Sequence, residues 1–131
     1  MNQIALSIGV AVVLAGIVGT LANAAALAVV IAPERLGLAL VPGRYAVAII
    51  LCIALPFLAR WLPRPGFWGA AIVWLTAASS MLAKFVFGVA TPWGTVLGFN
   101  FVYALAALIT YCLVAPRPGA LRTRGRDYGR A

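Results

Sequence analysis

Residues Gly19 to Arg35 read GTLANAAALAVVIAPER. Whether this stretch leaves or stays decides how many helices the chain keeps. Ala22-Asn23-Ala24 has the A-x-A form that signal peptidase cuts, yet the apolar run continues through Ala32. A signal peptide needs a basic leading segment, an apolar core of about 7–15 residues and polar residues after the cut. Here the leading segment is Met1-Asn2-Gln3, with no Lys or Arg, and cleavage would expose AALAVVIAPER as a new terminus. The stretch therefore reads as the second half of a retained helix over residues 4–32, ended by Pro33. At the usual rise such a helix measures about 43 Å, longer than the hydrocarbon core, so it tilts or projects.

The rest of the chain agrees with that reading. Of 131 residues, 65% are hydrophobic and 9% are charged. A soluble fold this small could not bury so much apolar surface, so the bilayer is the natural solvent. Three further apolar segments, over about 44–62, 67–90 and 94–115, approach the roughly 20 residues a spanning helix needs. Pro42-Gly43, Pro63-Arg64-Pro65-Gly66 and Pro92 separate them, and Pro56 predicts a kink within the second. The expected fold is an all-α membrane protein. Residues 1–116 form four transmembrane helices in an up-down antiparallel bundle, followed by an Arg-rich tail over 117–131 without fixed structure.

Charge sets the expected orientation. Arg60 and Arg64 lie in the second loop, and Arg117, Arg122, Arg124, Arg126 and Arg130 crowd the tail. The first loop has Arg35 and Arg44, offset by Glu34. The positive-inside rule then places both termini in the cytoplasm, in what reads as the inner membrane of a bacterium. Trp61 and Trp68 mark one interface, Tyr45 and Trp93 the other. The basic tail reads as a contact for anionic lipid headgroups rather than nucleic acid. Pro63-Arg64-Pro65-Gly66 and Pro116-Arg117-Pro118-Gly119 echo one another, but the helices before them do not align, so helix-exit chemistry explains the echo better than duplication.

Composition argues against an enzyme. There is no His, and Glu34 and Asp127 are the only acids. That removes the commonest general base, the commonest metal ligand and nearly all paired-carboxylate chemistry. No P-loop, haem motif or CxxC is present, so no cofactor or metal is expected. Cys52 and Cys112 differ in expected depth by roughly a dozen Å, too far for a disulfide.

Polar residues within the spans are the remaining pointers, because hydrocarbon penalises them. Gly9, Gly16 and Asn23 recur every seven residues and share a face with Gly19, which predicts helix packing through the glycines. Thr76, Ser80 and Lys84 form a stripe spaced by four, flanked by Ser79. Lys84 has two readings, one snorkelling to the interface and one facing the bundle. On the fourth span Asn100, Tyr103, Ala104, Ala107 and Tyr111 share a face, with Thr110 at its margin. Asn23, Lys84 and Asn100 fall at matching depth in the outer half, and Arg44 starts its helix on that side. Together these four predict an outward-facing polar pocket for an anion, a carboxylate or a lipid headgroup. The bland alternative is that each Asn merely hydrogen-bonds a neighbouring helix.

The functional expectation is a small non-catalytic accessory or assembly component of the membrane. The competing reading is a small transporter or channel using that pocket, which would have to dimerise because four short helices make a thin wall. A homodimer or a larger membrane complex is the expected assembly. The first span lacks the embedded Glu of small multidrug transporters and the arginine-bearing Gly motif of fluoride channels, so similarity of size to either carries no weight.

Overall fold

The computed structural model describes residues 2–117, and among these all regular structure is helical. Helix α1 spans Gln3–Val30. A 3-10 segment, Pro33–Leu40, leads into α2, Pro42–Cys52. Then come α3, Ala54–Trp61, and α4, Arg64–Met81, which runs on as a π turn over Leu82–Val86. Helix α5, Trp93–Val114, closes the bundle. Four stretches are long and apolar enough to cross a membrane: Gln3–Val30, Pro42–Trp61, Arg64–Val86 and Trp93–Val114. The residue 19–35 stretch thus begins as unbroken helix and ends in the 3-10 segment.

Proline places most of the boundaries. Pro42 opens α2, Pro63 and Pro65 flank the start of α4, and Pro92 caps α5. A proline costs nothing there, because the first N–H groups of a helix lack intrahelical partners anyway. Pro56 acts in the interior. It cannot donate to the carbonyl of Cys52, and its ring crowds that group. The helix accordingly breaks at Ile53, whose N–H is shared between the carbonyls of Ile49 and Ile50, both at 3.2 Å.

The third span stops earlier than its apolar run suggests. Residues 87–90 are still apolar, but Gly88 adopts φ +61°, a conformation that ends helices and favours glycine. Around it, Phe87 N–H reaches back to Leu82 O and Val89 N–H to Ala83 O, both at 3.0 Å. The expected span over 67–90 is therefore corrected to Arg64–Val86. Hydropathy registers side chains, not the sign of φ.

Packing is uneven around the bundle. Helix α1 lies against α2 and α5, and α4 lies against α5, whereas α2 and α4 meet only sparsely. Gly16 lets α1 touch α2: an added Cβ would sit 2.9 Å from the Ile49 backbone. Gly19 does the same toward α5, where a Cβ would meet the Tyr103 ring at 2.6 Å. Gly9 does not belong with them, since nothing lies within 4 Å of its Cβ position. Near it Ile8, Ala11 and Val12 make the contacts instead, because α1's contact face drifts around the helix toward its start. Leu55, Leu75, Leu108 and Cys52 are fully buried in one core. Ile50, Phe57, Val73 and Leu113 face outward, as a bilayer solvent allows. Both cysteines are free.

Candidate functional site

The first and third connections lie at the same end of the bundle, and residues of both line a cavity of about 630 Å³. All four spans contribute to it. On α5 the lining runs from Thr95 to Tyr103, a depth of about 12 Å at the helical rise. The floor is a polar crossing. The Tyr103 hydroxyl donates to Ala48 O at 3.0 Å and lies 3.5 Å from Cys52 Sγ. Beneath it the packed core continues, so the cavity is a vestibule closed partway along the bundle.

Asn23, only 5% exposed, holds the upper wall together. Its Nδ2 donates to Phe99 O on α5 at 2.8 Å, and its Oδ1 accepts from Arg44 Nη2 at 2.6 Å. Arg44 also donates through Nη1 to Leu38 O in the 3-10 segment, at 3.3 Å. One amide and one guanidinium thus join α1, α2, α5 and the roof. Tyr45 adds a second tie, donating to Ala39 O at 2.6 Å.

The electrostatics are one-sided. Arg35 and Arg44 both line the cavity, and among the described residues no Asp or Glu does. Arg44 is half-buried, and both of its hydrogen bonds go to neutral oxygens. A guanidinium has five N–H donors, so donors remain for a ligand. Neutral partners do not balance its charge; an anion would.

Asn100 lines the same cavity, but its Nδ2 is engaged by Ser80 Oγ at 3.0 Å, which joins α5 to α4. Ser80 itself is 1% exposed. Both asparagines therefore make the interhelical bonds of the bland reading, and both also border the cavity.

Lys84 is the residue the structure places elsewhere. It does not line the cavity. Its Nζ donates to Val89 O at 2.9 Å and Thr91 O at 2.5 Å, and sits 5.6 Å from the centroid of the Trp93 ring. The π turn breaks the spacing of four that would have aligned it with Thr76 and Ser80, and the loop after Gly88 supplies carbonyls within its reach. Lys84 thus ties down its own loop. Ser79 is likewise turned back on its own helix, donating to Leu75 O. Thr76 Oγ1 is buried without a hydrogen-bond partner.

Two contributors were not singled out from sequence. Arg35 counted only toward topology, although it and Arg44 flank the same short link. Trp74 donates from Nε1 to Leu51 O at 3.1 Å and bridges α4 to α2 below the cavity. Of the tail arginines only Arg117, which is exposed, falls within the described residues; Arg122, Arg124, Arg126 and Arg130 lie outside them.

The chain matches no protein-family model, no curated protein and no solved structure, so a functional reading has to come from this cavity and the four long apolar helices around it.

Proposed function

We propose that this is a non-catalytic integral membrane protein that binds an anionic group in the vestibule headed by Arg44. The observation that carries the reading is a half-buried guanidinium on the wall of a cavity with no acid in its lining among the described residues. Arg35 adds a second cation there. The polar floor at Tyr103 and the buried Leu55, Leu75 and Leu108 below it favour binding over conduction.

Orientation is part of the proposal. Among the described residues Arg60, Arg64 and Arg117 at one end are matched by Arg35, Arg44 and Lys84 at the other. The excess of positive charge comes from Arg122, Arg124, Arg126 and Arg130. The positive-inside rule then puts the termini in the cytoplasm of a bacterial cell and opens the vestibule outward. The tail would rest on anionic lipid, and an accessory role in a larger complex would show as a co-purifying partner in mild detergent.

Titration of the full chain in a neutral detergent with inorganic phosphate tests the reading by calorimetry. Wild type gives one weak saturable site, and Arg44→Gln weakens it at least about tenfold. No heat with either protein, or equal heat with both, refutes it.

A further inference from the structure

The vestibule is far larger than a simple anion requires. Its volume is about 630 Å³, and all four spans contribute to its lining. Arg35, Arg44, Asn23 and Asn100 supply polar groups toward its upper part and Tyr103 at its floor, while Leu27, Leu51, Leu82, Val96 and Phe99 make much of the remaining surface apolar. A small hydrated ion gains nothing from such walls. A molecule with an anionic head and a hydrocarbon chain uses both parts.

The seams of the bundle indicate where the chain would enter. Three of the four are closed by specific contacts: α1 with α2 at Gly16, α1 with α5 at Gly19 and Asn23, and α4 with α5 at Ser80 and Asn100. The fourth, between α2 and α4, is bridged by Trp74 donating to Leu51 O below the cavity. Above that bridge, Val47 of α2 and Leu82 and Ala83 of the π turn line the cavity. A seam that is apolar and thinly packed within a spanning bundle faces lipid chains.

We infer that the occupant is a phosphate-headed membrane lipid, its headgroup held by Arg44 and Arg35 and one acyl chain lying in the seam between α2 and α4. This inference rests on the anion-site reading above and names the class of molecule the site takes. Arg suits a phosphate because its fork of donors matches two phosphate oxygens at once. The same head chemistry could come from a soluble phosphate ester, which has no chain to fill the seam.

Native mass spectrometry of the full chain in mild detergent separates the sources. The probes are phosphatidylglycerol, phosphatidylcholine with the same acyl chains, and soluble glycerol phosphate. The expected result is one phosphatidylglycerol per chain, retained at least about tenfold better than phosphatidylcholine or glycerol phosphate. Arg35→Gln, at an exposed position, and Arg44→Gln each reduce that retention, and Arg44→Lys restores part of it. Ala83→Phe, which fills the seam, reduces retention of the lipid but leaves the weak binding of phosphate unchanged. Glycerol phosphate binding as well as the lipid, with no effect of Ala83→Phe, overturns the lipid inference and leaves the anion site standing. Lipid retained equally by wild type and both glutamine variants means binding elsewhere on the surface and also overturns it. Failure of all three probes, together with failure of inorganic phosphate, removes the anion site itself.

Discussion

The two ends of this bundle are built on different terms. At the end where the second connection lies, Leu55, Leu75, Leu108 and Phe67 fill the space between helices, and the interior is apolar. At the other end the helices separate around a cavity, and Asn23, Arg44, Asn100 and Tyr103 carry the contacts through directed hydrogen bonds. At the filled end the buried Ala11, Ala71 and Ala107 let the helices approach closely, and in a bilayer helix contacts rest on such packing because lipid tails are as apolar as the helices they surround. Polar contacts tolerate a gap, because each bond fixes a distance without filling a volume. The closed end thus holds the four spans together. The open end keeps them apart at a set spacing, with unbalanced positive charge inside.

The largest effect expected from breaking this arrangement is at the glycine seam. Gly16→Leu drives a side chain into the Ile49 backbone, which cannot give way as a flexible side chain would. It should destabilise the bundle by about 3 kcal/mol or more, read as loss of the folded species in thermal unfolding in detergent. Gly9→Leu, on open helix surface, should leave the unfolding temperature unchanged. An equal effect of the two would mean that α1 packs through some other face.

A smaller effect is expected at the open end. Asn100→Ala removes the bond to Ser80 and should cost about 1 kcal/mol, with anion binding changed by less than about twofold. A large loss of binding with no loss of stability would make Asn100 a ligand contact rather than a tie between helices. Lys84→Met should produce the smallest change, about 1 kcal/mol, since its two bonds to loop carbonyls, one exposed and one partly buried, tie down a loop rather than the bundle. It should leave binding intact. Failure of anion binding in Lys84→Met would bring Lys84 back into the site.

Much of this was legible in the chain itself. The four spans follow from run length and proline, and the break near Pro56 follows from the missing N–H and its crowding of Cys52. Asn23, Lys84 and Asn100 could be placed at matching depth by counting residues, with Arg44 starting its helix on the same side. Counting could not show that Arg44 reaches Asn23, because that contact depends on how the 3-10 segment folds back over α1. Nor could it find the turn at Gly88, since apolar residues on both sides mask a change in φ. Of the two readings of Lys84, its bonds to Val89 O and Thr91 O fit the one that reaches toward the interface; the stripe with Thr76 and Ser80 assumed an α-helix where the chain forms a π turn. Gly9 and Gly16 share a heptad position, yet only Gly16 meets a neighbour. A repeat specifies a helix face, and helices that cross at an angle use that face over only part of their length.

The most direct test compares arginines at the two ends within one molecule. Full-length protein labelled with 15N-arginine is reconstituted in neutral detergent, and the guanidinium resonances are followed as inorganic phosphate is added. The account predicts saturable shifts for Arg44 and Arg35, with Arg60 and Arg64 unmoved at the same concentrations, and loss of the Arg35 shift in Arg44→Gln. Uniform small shifts of all the arginines, or a silent Arg44, would contradict it.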